Sequence, residues 1–214
     1  MSKLKYALAI LLLIFCLNLN GQSVSDNPGI ATGRLNFTGI VDVFDENISI
    51  GGEYRLKDHW SIGTDVAYVY NSLYLSQSKT VRGYIVRPFI RYYPDQHRTG
   101  FFEAQLNYKY VAYHITDWID RGGANGMPAY QEYTTFRYNK RVYGINIIAG
   151  TKENLSRNKR LKIELYLGIG YRYKKQDADI GTYLRQRGNN LSIYRPEYST
   201  LVLPLGASLI YDFK

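Results

Sequence analysis

Residues 159–175, KRLKIELYLGIGYRYKK, alternate between apolar side chains and polar or small ones over the thirteen positions from Leu161 to Tyr173. A period of two matches the pleat of a β-strand, in which successive side chains leave opposite faces. A strand of a soluble protein typically has about five or six residues, whereas a strand that crosses a membrane needs about nine to eleven. The stretch is therefore predicted to be a strand, and its length favours a membrane.

The first 21 residues have the features of a secretory signal peptide. Two lysines precede an apolar run at 7–17, and the small residue Gly21 follows it. A run of this length is short of the roughly twenty residues that a membrane-spanning helix needs. We expect cleavage near Gly21, which leaves a short segment at 22–33 and one β-domain at 34–214. Cys16, the single cysteine, would be removed, so no disulfide or cysteine metal site is expected.

The charge and the tyrosine content are typical of a protein at a membrane. The net charge is +9, and it becomes +7 without the two lysines of the leader. Basic residues alternate with apolar ones along predicted strands and do not cluster on a helix, so nucleic-acid binding is not expected. Lipid phosphates are the expected neighbours of this charge. The 22 tyrosines fit as well, because an amphipathic ring suits a membrane-water boundary.

Alternation predicts eight strands, with apolar residues repeating on one parity of each. The predicted strands are 34–44, 47–57, 59–71, 80–93, 101–115, 136–151, 160–174 and 197–213. Alternation alone permits a soluble lipocalin-like barrel, which turns its apolar side chains toward a ligand cavity. Two features argue against that reading: aromatic residues gather toward the strand ends, and short turns alternate with long loops. The long loops are predicted at 72–79, 116–135 and 175–196, and the short link Asp45-Glu46 is the exception among the external connections.

Three segments resemble the small eight-stranded outer-membrane β-barrels. The segments RPFIRYYPD at 87–95 and FFEAQLNYKY at 101–110 are similar to barrels of unknown function that are common in Bacteroidota. The ending LGASLIYDFK at 205–214 resembles the terminal strand signal that the barrel-assembly machinery recognises. The resemblance implies a location in the cell outer membrane, with outer-membrane lipid and the assembly machinery as partners. We therefore expect a monomeric, all-β, closed antiparallel eight-stranded transmembrane β-barrel.

The charged parity of the strands is expected to face the interior of this barrel. A lysine that faces lipid at the centre of a bilayer costs about 2–4 kcal/mol, whereas an interior lysine can pair with a carboxylate. Arg91 and Glu103 would lie directly cross-strand if their turn is centred near residue 97, so they are predicted to form an ion pair. A polar network that plugs the barrel is expected, and a selectivity filter is the alternative. Its predicted members are Glu53, Asp65, Arg87, Arg91, Glu103, Lys109 and Glu164.

The candidate catalytic residues are His114 and Thr116, at the outer end of strand five. They loosely resemble the His-x-Ser pair of barrel lipid A deacylases, with threonine in place of serine. Residues at i and i+2 of a strand share a face, and a hydroxyl nucleophile needs an adjacent base. In the alternative, His114 is an interfacial polar residue and Thr116 begins a loop. The carboxylates that could orient the imidazole are Asp117, Asp120 and Glu132.

The predicted loop 116–135 carries three aromatic residues among its glycines, namely Trp118, Tyr130 and Tyr133. Exposed aromatic side chains suit the binding of an extracellular protein or glycan, and an interfacial aromatic girdle is the alternative. The three histidines of the chain lack the spacing of metal ligands, so neither a metal nor a cofactor is expected. A structural or surface-interaction protein without a general pore is therefore the expected function. A lipid A-modifying hydrolase is the enzymatic alternative.

Overall fold

A computed structural model describes residues 31–40, 45–56, 59–72, 78–95, 98–122, 129–178 and 196–213. These residues form nine β-strands and one short 3-10 helix, which confirms the all-β prediction. The predicted signal peptide lies outside the described residues. None of the helical structure in these ranges is long and apolar enough to cross a membrane.

The strands are numbered in chain order, and several are long. Their bounds are β1 Ala31–Asn36, β2 Glu46–Arg55, β3 Trp60–Asn71, β4 Ser78–Tyr92, β5 Gly100–Arg121, β6 Tyr130–Asn154, β7 Leu161–Ala178, β8 Glu197–Val202 and β9 Leu205–Asp212. The 3-10 helix is Thr38–Ile40, directly after β1.

Antiparallel pairing connects eight of these strands into a ring. Each strand from β1 to β6 pairs with the next one along the chain, β7 pairs with β9, and β9 pairs with β1. β8 pairs with the C-terminal half of β7, and β9 pairs with its N-terminal half. We call the end where β2, β4 and β6 lead to the next strand the turn end, and the opposite end, with the tip of β5 and β6, the hairpin end.

The last predicted strand, 197–213, is interrupted in the structure. β8 and β9 are separated by Leu203 and Pro204, which belong to neither strand. Proline has no backbone N–H to donate to a sheet ladder, so a break at this position has a local cause. The ladder on β7 is split accordingly: Gly170 to Lys175 pair with β8, and Leu161 to Leu167 pair with β9.

The predicted loop 116–135 was wrong over most of its length. β5 and β6 stay paired without a break from Thr116 opposite Thr135 to Arg121 opposite Tyr130. Seven of these twelve positions hold threonine, tyrosine, tryptophan or isoleucine, all of which favour strands. The glycines that suggested a loop lie beyond Arg121. The two strands therefore form a hairpin that extends past the end of β4, whose pairing with β5 ends at Ser78 opposite Ile115.

The first predicted strand was also misplaced. It was expected at 34–44, but β1 ends at Asn36, and residues 41–44 lie outside the described residues. Asp45 was expected in a short external link, but its side chain is buried inside the ring. Pairing also begins earlier at Ser78 and ends later at Ala178 than the predicted strand bounds.

The two parities of each strand face opposite sides of the ring. On β7, Leu165, Leu167 and Ile169 are 49%, 68% and 55% exposed, whereas Glu164, directly before Leu165, is fully buried. The same division runs through β3, where Val66 is exposed and Asp65 is buried. The apolar parity therefore lies outside the ring, and the parity that carries the charges points into it.

Glycines on the inner parity allow large side chains to lie against the wall. A Cβ added to Gly63 would lie 2.3 Å from the backbone oxygen of Gly52 and 2.3 Å from the ring of Phe89. A Cβ added to Gly144 would lie 2.5 Å from Nη1 of Arg172, its partner in register on β7. The absence of a side chain at these two positions thus sets where Phe89 and Arg172 sit inside the ring.

Candidate functional site inside the ring

Arg91 is the centre of a buried ion network near the turn end. Its side chain is fully buried, and its Nε donates to Glu103 at 2.7 Å. Nη1 and Nη2 donate to the two carboxylate oxygens of Glu164 at 2.7 and 3.0 Å, which is a bidentate pair. Nη1 also donates to Glu53 at 3.0 Å. One guanidinium on β4 therefore holds carboxylates from β2, β5 and β7.

Two further cations complete the network from other strands. Arg34 on β1 donates to Glu164 at 2.8 Å, and its Nη1 lies 3.6 Å from the carboxylate of Asp65. Lys152 on β6 lies 3.2 Å from Glu53 and donates at 2.6 Å to the hydroxyl of Tyr93, which in turn donates to Glu53. We call this set the ion layer, and its charged members are Arg34, Glu53, Asp65, Arg91, Glu103, Lys152 and Glu164.

The sheet register and aromatic rings position this layer. Arg91 lies directly opposite Glu103 in the β4–β5 pair. The guanidinium carbon of Arg91 lies 3.9 Å from the ring centroid of Phe101 and 5.1 Å from that of Phe89. Such contacts stabilise a cation while excluding water from it. Charges buried in this way need close partners of opposite sign, because an unpaired buried charge is strongly unfavourable.

A second polar cluster surrounds Asp45, nearer the hairpin end. Ser72 and Tyr113 donate to one carboxylate oxygen at 2.7 and 2.9 Å. Lys140 donates to the other oxygen at 2.7 Å, and Lys109 pairs with the same oxygen. A single carboxylate thus joins side chains of β5 and β6 to the start of β2. We call these five residues the Asp45 cluster.

Apolar side chains of the inner parity fill the ring next to the Asp45 cluster. They come from β3, β4, β5 and β6, and they include the inner face of the extended hairpin. This set is the apolar layer: Ala67, Val69, Val81, Ile85, Val111, Tyr113, Ile115, Ile119, Phe136 and Tyr138. Ile119 is fully buried although it lies beyond the last residue pair between β4 and β5. The hairpin therefore takes part in the interior of the ring.

A cavity of about 650 Å³ lies between these layers. Arg91 and Glu103 of the ion layer line one side of it, and Lys109 and Lys140 of the Asp45 cluster line another. Its wall also includes Val202, Leu203, Pro204 and Leu205, at the break between β8 and β9. The cavity is thus bordered by charged side chains inside the ring and by apolar residues at the interrupted strand.

The comparison with known protein families gives a match over nearly the whole chain. The family described as "Protein of unknown function (DUF3575)" matches residues 8–213. The chain belongs to this family. No curated protein matches the chain. The family match contains all nine strands and every member of the ion layer, while the description of the family assigns no activity.

The structure brings together five of the seven residues that were predicted to form an interior network. These five lie in the ion layer, namely Glu53, Asp65, Arg91, Glu103 and Glu164. Lys109 lies apart from them, in the Asp45 cluster. Arg87 lies opposite Asp65 in the β3–β4 register and lines the cavity, but the carboxylate of Asp65 is directed to Arg34.

Seven polar residues of the ion layer and the Asp45 cluster were missed from the sequence, namely Arg34, Asp45, Ser72, Tyr93, Tyr113, Lys140 and Lys152. Strand parity could have found Lys140 and Lys152, because both share the inner parity of β6 with other polar residues. No signal marked Asp45, since the predicted strand bounds placed it in an external link. Strand parity therefore identifies the face of a residue, while its partner depends on where the strand ends.

The side chains that the structure describes do not form a catalytic group around His114. His114 is exposed, and it lies opposite Arg137 in the register of β5 and β6. The hydroxyl of Thr116 is hydrogen-bonded to that of Thr135 at 2.8 Å. Glu132, one of the carboxylates expected to orient the imidazole, pairs with Arg121 at 2.8 Å. Asp117 lies on the opposite, inner parity, and the side chain of Asp120 is outside the described residues.

The three aromatic residues proposed for binding lie on strands and not in a loop. Trp118 is 57% exposed on β5, and Tyr133 is 59% exposed opposite it on β6. Their ring centroids are 5.1 Å apart. Tyr130, at the start of β6, is 61% exposed. The hairpin therefore presents a fixed aromatic pair on its outer face.

Proposed function

We propose that this protein is an outer-membrane β-barrel, in which the eight-stranded ring spans the cell outer membrane as a closed barrel. The observation that carries the proposal is the division of its faces: apolar side chains cover the outside, and the buried charged side chains lie inside, next to the apolar layer. Soluble proteins rarely expose contiguous apolar surface of this kind, whereas lipid requires it. A soluble lipocalin-like barrel would need the opposite arrangement.

Aromatic residues on the outer face support this placement. Near the turn end, Trp60 and Tyr92 have ring centroids 5.0 Å apart. Nearer the hairpin end, Tyr108 lies 5.9 Å from Tyr84 and 5.3 Å from Tyr143. Tyr84 and Tyr92 are eight residues apart on β4. At ~3.4 Å per residue and a tilt of ~40°, this spacing corresponds to ~21 Å across the membrane, close to the apolar band of ~25 Å in such barrels.

The interior of the described ring supports a barrel without a general pore. The ion layer crosses the ring near the turn end, and the apolar layer fills it near the hairpin end. Arg91 and Glu164 meet from β4 and β7, which are separated by two strands on one side of the ring and four on the other. An eight-stranded barrel has an interior that side chains can fill. We therefore propose a structural or surface-interaction role for a monomer, with outer-membrane lipid around it.

The extended hairpin supports the surface-interaction part of this role. Trp118 and Tyr133 form an exposed aromatic pair beyond the end of β4, where the side chains would stand outside the membrane. Aromatic residues in a rigid setting are typical anchors for a partner. We propose an extracellular protein or glycan as the ligand of this surface, and the barrel-assembly machinery as the partner during insertion.

Fractionation and heat modification test the membrane proposal. The full chain is expressed in bacterial cells, and its outer-membrane fraction is run on gels with and without heating. A closed barrel is expected to migrate as a compact form until it is heated. Recovery of the protein as a soluble periplasmic species would contradict the proposal. In planar bilayers we expect no stable conductance, and stable single-channel steps would overturn the absence of a general pore.

Cysteine labelling tests the orientation of the hairpin. The single cysteine lies in the predicted signal peptide, so an introduced cysteine would be unique in the mature chain. Tyr130→Cys at the hairpin end is expected to react with a membrane-impermeant maleimide on intact cells. Thr99→Cys, at an exposed position of the turn end, is the matched control and should react only after the cells are broken. The reverse pattern would refute the surface placement of the hairpin.

A further inference from the structure

Among the described residues, the sheet pairing of the ring stops next to the interior cavity. β8 pairs with β7 along one edge, and no strand in the described ranges pairs with its other edge. The contact between β1 and β9 extends up to the bond from the Phe37 amide to the Ala207 oxygen, at 3.2 Å. From that bond toward the hairpin end, Leu203 and Pro204 separate β8 from β9, and both line the cavity. The cavity therefore adjoins the side of the ring at the point where sheet pairing stops.

The lining of the cavity is strongly cationic. Of the described residues, seven basic and three acidic side chains contribute to it. The acidic ones are already held by ion pairs: Asp65 and Glu103 belong to the ion layer, and Asp45 holds two lysines. Among the described residues, Arg87 and Arg172 have no carboxylate partner. An anion in the cavity would therefore meet positive charge that no described carboxylate neutralises.

Arg172 is placed for such contact by its neighbours. It lies against the backbone of Gly144, and its Nη1 donates to the amide oxygen of Asn146 at 2.6 Å. Lys174 is two residues along the same inner parity of β7 and donates to the hydroxyl of Tyr198 at 3.2 Å. A guanidinium fixed on one side by a neutral oxygen keeps its remaining N–H groups for a ligand.

A buried polar atom of the cavity wall also has no hydrogen-bond partner among the described residues. This atom is Oδ1 of Asn47, and Asn47 lines the cavity. Its side chain is more than nine-tenths buried. Buried polar groups are normally hydrogen-bonded. The unsatisfied oxygen is a second, independent indication that a polar ligand atom fits in this space.

The outer surface of the ring next to the cavity carries three strongly exposed leucines. Leu201, Leu203 and Leu205 are 72%, 74% and 69% exposed. On the inner side of the same segment, Val202 and Pro204 line the cavity. An alkyl chain that leaves the cavity at this break would continue along apolar residues into the surrounding lipid.

We propose that the cavity binds the phosphate group of an anionic amphiphile, whose alkyl chain passes out of the ring at the break between β8 and β9. Arg87 and Arg172 contact the phosphate, and Leu203 and Pro204 border the chain. The volume of about 650 Å³ lies within the range of small-molecule sites, about 300–1,000 Å³. This inference rests on the proposed membrane location, because the alkyl chain of the amphiphile would reach lipid through the side of the barrel.

Dodecyl phosphate is the probe for this inference. The mature protein is refolded in neutral detergent, its folding is checked by the heat-dependent gel shift, and bound probe is counted by native mass spectrometry. We expect one dodecyl phosphate per protein. Inorganic phosphate supplies the same anion without a chain and is expected to bind at least about tenfold more weakly. Dodecyltrimethylammonium has the same alkyl chain but a positively charged head group, and it is expected not to bind.

Variants of the two arginines test the assignment of the phosphate contacts. Arg87→Gln and Arg172→Gln are each expected to weaken dodecyl phosphate binding by about tenfold, because each removes a charge-assisted contact. Arg82→Gln is the matched control, since Arg82 lies on the same strand as Arg87 but on the outer parity. Val202→Trp fills the cavity without changing its charge and is expected to reduce binding as well.

The outcomes separate this inference from the proposed function. Equal binding by the wild type and both glutamine variants would overturn the cavity site. Equal binding of inorganic phosphate would overturn the role of the chain, and equal binding of the cationic probe would show simple partition into detergent. In each of these cases the gel shift would still report a folded barrel, so the membrane proposal would stand. Failure to fold in any membrane environment would instead refute the proposed function itself.

Discussion

Methionine in place of Arg91 would leave buried carboxylates without their central cation. In the wild-type protein the guanidinium donates at 2.7 Å to Glu103, at 2.7 Å to Glu164 and at 3.0 Å to Glu53. Methionine fills a similar length of side chain with apolar atoms, so loss of volume contributes little. The variant therefore tests mainly the electrostatic role of the residue.

The carboxylates would not be affected equally by this change. Glu53 would keep Lys152 at 3.2 Å, and Glu164 would keep Arg34 at 2.8 Å. Glu103 would keep Arg34 at the longer distance of 3.8 Å. Removing one partner of a buried ion pair typically costs about 3–5 kcal/mol, because the remaining charge stays buried. We expect a loss of about 3–5 kcal/mol in the free energy of unfolding, with Glu103 responsible for the largest share.

Urea unfolding in lipid vesicles, followed by the gel shift, measures this loss. Arg82→Met is the control, because it makes the same chemical change on the outer parity of β4, and we expect it to shift the free energy by less than about 1 kcal/mol. Adding Glu103→Gln to Arg91→Met should recover part of the loss. Of the three carboxylates, Glu103 would be left with its nearest cation farthest away, and glutamine removes its charge. Equal stability of the two methionine variants would refute the network as described.

Three further predictions follow from the faces, the glycines and one turn. Leu165→Arg should lower the free energy of unfolding in vesicles by about 2–4 kcal/mol, and with it the folded fraction, if its outer face meets lipid. Lys162→Ala, on the inner parity near the turn end, should have little effect. The reverse order of the two variants in the gel shift would show that the faces are exchanged. Gly63→Ala should destabilise by about 1–3 kcal/mol in urea, because its Cβ would lie 2.3 Å from a backbone oxygen, whereas Gly100→Ala, with nothing within 4 Å, should be tolerated. Asp95 accepts hydrogen bonds from the amide and hydroxyl of a threonine four residues on, which hold the pKa of its carboxyl below the ordinary value of 3.8. Its contribution to stability should be complete above that pH and fall as the pH drops through the lower folded pKa, and the urea midpoints of Asp95→Asn should lack this component.

The faces of the strands could be predicted because they depend on local sequence. Leu165 and Glu164 take opposite sides of the ring for the same reason that any adjacent strand residues do. The Arg91–Glu103 pair was also accessible, since a turn between two consecutive strands sets their register. Both inferences use only residues of a single strand or a single hairpin, so they need no information about the rest of the fold.

Strand ends were predicted less well, for reasons that differ between positions. The glycines beyond Arg121 suggested a loop, but tertiary pairing carries both strands of the hairpin further than the composition indicates. Pro204 interrupts a segment in which the alternation of apolar residues continues without a break. The alternation concerns side chains only, so it does not show that proline lacks a backbone N–H donor. Asp45 was misplaced with the end of the first strand, and so its cluster was missed.

Contacts across the ring depend on the register of several strand pairs, and no local sequence pattern determines that register. Arg91 and Glu164 are 73 residues apart in sequence, and their strands are not neighbours. Their meeting requires every intervening pair to hold its register, because a slip of one residue would turn Glu164 to the outer face. Arg34 reaches Glu164 from β1 under the same condition, through the pairing of β1 with β9 and of β9 with β7. The ion layer therefore forms when the ring closes, which makes it a check on the register of all eight strands as well as a filling for the interior.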